Sequence, residues 1–208
     1  MITEAHKRNL QEKETHAMPT TTTQTTFRFE ELSETAQETA INAFWEANTD
    51  HEWWDFLFDE FRTVASILGI DVKDTYFSGF YGQGDGASFT GTYEYRPGWR
   101  KALAEYAPQD TELLSIGNAL QEAQRRAFYS ITARIIHRGH YRHSGCMVVD
   151  ADAEGAFDHD TITDQLRLLA DWIYSKLERE YEYLTGEDAI KETIIANEWE
   201  FTEDGNPA

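Results

Sequence analysis

The stretch YFSGFYGQGDGASFTGTYEY, residues 76–95, carries the fold of this chain: two runs that alternate large and small side chains, with glycines at 79, 82, 84 and 86 between them. Alternation with period two puts successive side chains on opposite faces of a strand. The glycines invite comparison with phosphate-binding loops, but such a loop needs a strand, the glycines and then a helix whose N-terminus faces the phosphate. Here a second strand follows, SFTGTYEY, and no GxxxxGK[ST] is present. The stretch therefore predicts a β-hairpin. Asp85-Gly86 fits the two-residue type I′ turn, whose central residues both need positive φ. That turn pairs Gly82 with Phe89, Phe80 with Gly91, Ser78 with Tyr93 and Tyr76 with Tyr95, so that large rings meet glycines across the strands. Gln83, Asp85 and Ser88 are then candidates for a polar ligand site at the hairpin tip.

A second hairpin is predicted over residues 131–150, where ITARII and CMVV are separated by the polar connection HRGHYRHSG. Two hairpins imply one antiparallel sheet. Helical periodicity fills the rest. Ser33 is a candidate N-cap for a helix with Ala36, Ile41, Phe44 and Trp45 on one stripe. From His51 onward Trp53, Trp54, Leu57, Phe58, Phe61, Val64, Ala65 and Leu68 recur at helical spacing until Gly69. A short helix runs from Trp99 to Tyr106, Asp110 caps another reaching about Tyr129, and a long one from about Thr161 carries Leu166, Leu169, Ile173 and Leu177. Thr185 and Asp188 resemble a capping box for a final helix. The fold class is α+β: an antiparallel sheet of two β-hairpins packed against several amphipathic helices. Residues 1–26, polar and ending in a threonine run, form a disordered arm before a single α+β domain over 27–208, and Met18 is a candidate alternative start.

With 208 residues, six tryptophans and 40% hydrophobic residues, the chain has ample material for one core. A formal net charge of −20 opposes direct binding to nucleic acid or to an anionic membrane, both of which depend on clustered Lys and Arg. The single cysteine, Cys146, cannot form an internal disulfide, and the N-terminal residues lack the apolar run of a signal peptide. No apolar run reaches the length of a membrane span. These features predict a soluble protein of the cytoplasm.

His137, His140 and His143 crowd the second connection. On a continuous strand His137 and His143 share a face while His140 points away with Arg138 and Arg142, so three ligands converge only if the segment loops, and the arginines oppose a cation. No metal and no cofactor is expected. Cys146, among apolar strand residues, reads as buried rather than nucleophilic, and no catalytic spacing such as GxSxG occurs. Charge is more informative. Residues 30–60 hold ten acids and no Lys or Arg, residues 150–208 hold seventeen acids against four bases, and residues 100–142 hold seven bases against four acids. Acids segregated on exposed helical faces, Glu34, Glu38, Glu52, Asp55 and Asp59 among them, present a negative surface to a cationic partner.

The segments FRFEELSETAQETAINAFWE, EWW, YFSGFYGQGDGASFTGTYEY, HRGHYRHSG and EYEYLTGEDAIKETIIANEWEFTEDG together resemble an uncharacterised family of bacteriophage and prophage proteins with the motif SGFxxQGDGAxF, some of whose members are labelled antitoxins of toxin–antitoxin stability systems. The resemblance covers nearly all of the chain after residue 26. It implies a phage-borne accessory protein acting in host bacterial cytoplasm and carries no catalytic residues. The expected function is a non-enzymatic, acidic binding protein that inhibits or neutralises a basic host or phage protein, as an anti-defence factor, an antitoxin-like factor or a nucleic-acid mimic. The alternative is a small-ligand-binding or catalytic protein that uses the Gln83–Ser88 tip with the His137–His143 loop.

Overall fold

The computed structural model describes residues 25–208. The predicted arm lies outside the described residues except for Thr25 and Thr26, and so does Met18. The described chain forms two compact units, one from its two ends (up to Ala43, and Glu198–Ala208) and one spanning Phe44–Asn197.

In the unit built from the ends, β1 (Phe27–Arg28) pairs antiparallel with β6 (Glu200–Phe201), a two-stranded contact too short for any periodicity to announce. Phe29 and Phe201 are buried edge to face, 6.4 Å apart. Ser33 caps α1 (Glu34–Ala43) as expected, its hydroxyl accepting from the Ala36 N–H. The buried face is made by Ala36 and Ala40, however, while Trp45 lies beyond the helix and is exposed.

The larger unit is an α+β layer structure. Its sheet runs β2 (Ile70–Ser78), β3 (Gly86–Glu94), β4 (Thr132–His137) and β5 (Met147–Asp152), all antiparallel and in chain order, so the two hairpins lie side by side. One face carries Ile70, Ala87, Phe89, Tyr93, Ala133, Ile135, Met147 and Val149, all buried. Onto it pack α2 (Asp55–Ile67), through Leu57, Phe58, Phe61 and Val64, and α5 (His159–Leu184), through Leu166, Leu169, Ile173 and Leu177, with α4 (Thr111–Arg126) against α5. Phe61 meets Phe89 at 5.2 Å. Asp110 and Asp158 cap α4 and α5 with their carboxylates. The helix α3 (Trp99–Tyr106) follows the RPG turn, and α6 (Glu187–Ala196) follows α5. Thr185 and Asp188 form no capping box: α6 has Gly186 at its N-cap with no side-chain bond, and the Thr185 hydroxyl donates back to the Tyr181 carbonyl.

The hairpin register differs from the type I′ expectation. Ser78 pairs with Gly86, Tyr76 with Ser88 and Thr75 with Phe89, and after a bulge between Val72 and Asp74 the ladder resumes at Val72 with Gly91 and ends at Ile70 with Tyr93. Asp85-Gly86 is thus no two-residue turn; the loop is 79–85. Phe80 leaves the ladder to stack on Tyr181 at 4.8 Å and Tyr174 at 5.6 Å, with Trp53 at 6.3 Å. Burying that ring against α5 outweighs a few more ladder hydrogen bonds, each worth about 1 kcal/mol net.

Candidate functional site

The two hairpin loops, 79–85 and 138–146, meet. Gly84 has φ +91, and a Cβ on it would sit 2.7 Å from Tyr141 Cε1; a Cβ on Gly86 would sit 2.6 Å from His143 Cα. Only glycine gives the room and, at Gly84, the backbone conformation. Gly84 and Gly86 therefore seat one loop against the other, while Gly79 and Gly82 leave room for the Asp85 side chain of their own loop. Asp85 closes its own loop, its carboxylate accepting from the Gly82 N–H at 2.6 Å. Gln83 is exposed at the turn. Ser88 is not at the tip: it lies within β3 opposite Tyr76, 2% exposed, with no hydrogen-bond partner for its hydroxyl.

The three histidines lie on or beside the same looped segment, and two of them staple it. His137 bonds the Tyr141 carbonyl through Nε2 at 2.8 Å, so that nitrogen carries the proton, and its ring lies 5.2 Å from Tyr76. His143 accepts the Gly145 N–H on Nδ1 at 3.0 Å, which leaves the proton on Nε2, 3.8 Å from the Cys146 sulfur. His140 is exposed, edge-on to Tyr141 at 5.8 Å. Among the described residues no three His, Cys, Asp or Glu side chains gather to hold a metal ion. Cys146, expected inside the strand, is half-buried in the one-turn helix 144–146 ahead of β5.

What sequence reading missed is the tyrosines. Tyr81 sits in the left-handed region at φ +73, 73% exposed, with its hydroxyl donating to Glu182 at 3.1 Å. Its phenol is raised above the ordinary value by desolvation and then by that carboxylate, with Glu178 adding to it. Tyr174 donates to the Gly79 carbonyl, and desolvation followed by the Asp85 carboxylate raises its phenol too. Tyr141 is 52% exposed and stacked on His143, while Arg142 lies over the Tyr76 ring at 4.9 Å. Together these groups make a tyrosine surface, exposed at Tyr81 and Tyr141 and half-buried at Tyr76 and Tyr174, with Asp85, Glu178 and Glu182 beside it. Of the five carboxylates expected on helical faces, Glu34 and Glu38 lie on α1 in the unit formed by the chain ends and Asp55 and Asp59 on α2 in the larger unit, while Glu52 lies in the connection ahead of α2; all are exposed, and Asp59 is paired with Arg62 at 2.9 Å.

Residues 53–187 match the family described as Domain of unknown function (DUF8835). The chain belongs to that family. The matched segment holds both hairpins, α2 to α5 and the tyrosine surface, and leaves Glu34, Glu38 and Glu52 outside. No curated protein and no solved structure matches the chain.

Proposed function

We propose that this protein is a non-enzymatic binding module that docks its tyrosine-and-carboxylate tip on a basic protein of the bacterial host or of a phage, as an accessory inhibitor or antitoxin-like factor in the cytoplasm. The observation that carries this reading is Tyr81. A large ring held out of the core, in a backbone conformation that costs roughly 1 kcal/mol or more, is built for contact. Tyrosine is enriched among residues that dominate binding energy, because it brings large area at low entropic cost. Asp85, Glu178 and Glu182 beside it favour a cationic partner and disfavour an anionic one, and the exposed acids Glu52, Asp55 and Asp59 of the same unit extend the attraction over longer range.

The test uses the full chain as bait in bacterial lysate beside a variant carrying Tyr81→Gly and Tyr141→Ala; glycine preserves the positive φ at position 81. The captured protein should be basic, its association should slow as salt rises, and the variant should bind it more weakly by about 2–4 kcal/mol. Equal capture of the same partners by both proteins at every salt concentration would overturn the proposal.

A second reading, a small ligand held at the tip by Gln83, Asp85 and the histidines, draws on the meeting of the two loops, with Gly84 against Tyr141 and Gly86 against His143. It requires Asp85→Asn to abolish binding of that ligand; in the structure the Asp85 carboxylate is turned to the Gly82 N–H instead.

A further inference from the structure

Away from the tip, and sharing no residue with it, a cleft of about 520 Å³ is lined by Arg62, Thr63, Ser66 and Ile67 of α2, by Arg96, Pro97 and Gly98 of the turn, and by Trp99 and Ala102 of α3. In a chain of net charge −20 its lining holds two guanidinium groups and no carboxylate. The arginines are held in different ways. Arg96 is fixed, its Nη1 donating to the Ser66 carbonyl at 2.6 Å and to the Ser66 hydroxyl at 2.7 Å, and no other hydrogen bond occupies its guanidinium among the described residues. Arg62 is paired only with Asp59 across solvent, an exposed i,i+3 contact of the kind worth about 0–1 kcal/mol and easily exchanged. The apolar lining comes from Ile67, Ala102 and the Trp99 ring. That ring is immobile: its indole N–H donates to Gln121 at 2.9 Å, and Gly117 of α4 is the space its far edge fills. Two residues of the first turn of α3, Arg100 and Lys101, are cationic where the helix dipole prefers anions, and no side chain caps that end. An anion at the cleft would relieve this.

We propose that this cleft binds a small organic anion, a carboxylate head group on a compact apolar body, with Arg62 and Arg96 gripping the head group and Trp99, Ile67 and Ala102 covering the body. A planar guanidinium pairs with a carboxylate through two parallel N–H···O bonds, and the volume lies within the range of small-molecule sites, about 300–1,000 Å³. The site is independent of the partner surface and lies wholly inside the family match.

The experiment is a titration of the full chain with hexanoate, hexyl phosphate and hexylamine, followed by the indole N–H resonance of Trp99, which a Trp99→Phe spectrum assigns. Hexanoate should give a saturable shift and hexylamine none. Arg62→Gln, an exposed change that leaves the fold intact, should weaken hexanoate about tenfold, the loss expected for one charge-assisted hydrogen bond, and Arg96→Gln should weaken it at least as much. The proposal is overturned if hexanoate gives no saturable shift by about 20 mM. It is equally overturned if hexylamine shifts the resonance as hexanoate does, or if folded Arg62→Gln binds hexanoate like the wild type. Tighter binding of hexyl phosphate than of hexanoate would overturn the carboxylate assignment.

Discussion

Replacing Gln124 by Met should destabilise the protein by about 3 kcal/mol, because one buried side chain satisfies three polar groups at once. Gln124 is fully buried on α4; its Nε2 donates to the Ile131 carbonyl at 2.8 Å and to the Tyr93 hydroxyl at 3.3 Å, and its Oε1 accepts the Ile131 N–H at 3.1 Å. The chain between them turns back through Phe128 and Tyr129, two non-glycine residues with positive φ, and Gln124 is what pins the far end of that strained turn to the helix. Met matches Gln in size and helix propensity, so packing and the helix are preserved while the three groups lose their partner. At about 1–1.5 kcal/mol for each of the three unmet buried groups the loss is roughly 3–4.5 kcal/mol, and the apolar side chain returns about 0.5–1 kcal/mol. The thermal midpoint should fall by about 6–12 °C, at about 2–4 °C per kcal/mol for a chain of this size. Urea unfolding followed by tryptophan fluorescence and circular dichroism measures the change, with an unaltered m-value as the check that the states compared are the same. A loss below about 1 kcal/mol would mean that the polar groups around Ile131 are met without Gln124.

Two further predictions concern pH and the loops. Burial pushes the Tyr93 phenol up to about 12 from its ordinary 10. Between those values the unfolded chain has released the proton that the folded chain still holds, so Tyr93 should make stability fall as pH rises through 10–12, by up to about 2.7 kcal/mol; denaturation midpoints across pH 8–12 report it, and in Tyr93→Phe the slope should shrink to the smaller part left by Tyr81 and Tyr174. Gly84→Ala forces a side chain into φ +91 and against Tyr141, so it should cost about 1–3 kcal/mol and free the Tyr141 ring, visible as loss of its contacts with His143 by NMR.

The fold was legible wherever periodicity is local. The run from Trp53 to Leu68 gave α2, which begins only at Asp55; alternation gave the first hairpin and β-rich composition the second, and Ser33, Asp110 and Gly69 marked helix ends that the structure keeps. The hairpin register was not legible, because it depends on where Phe80 finds a partner, and that partner, Tyr181, lies about a hundred residues away on α5. Gly91 shows the same effect. It accommodates no ring of Phe80: it sits opposite Val72 beside the bulge, where the Asp71 carbonyl occupies the place of a side chain. The β1–β6 pairing joins the two chain ends through two residues on each side, which leaves no pattern to read. At the candidate site the glycines and histidines marked two loops in the sequence, and the structure brings those loops together through Gly84 and Gly86. The polar residues Asp85, His137 and His143 are spent on loop backbone, while Gln83 and His140 stay exposed and are joined at the surface by Tyr81 and Tyr141, whose placement depends on contacts with α5 and with the opposite loop.

The most direct test of the partner surface is amide hydrogen exchange on the full chain, alone and bound to the basic protein it captures. Slowed exchange should concentrate in residues 79–85, 138–146 and 174–183, with the protection lost in the Tyr81→Gly, Tyr141→Ala variant. Protection confined to other segments, with those three exchanging as in the free protein, would contradict the proposed docking.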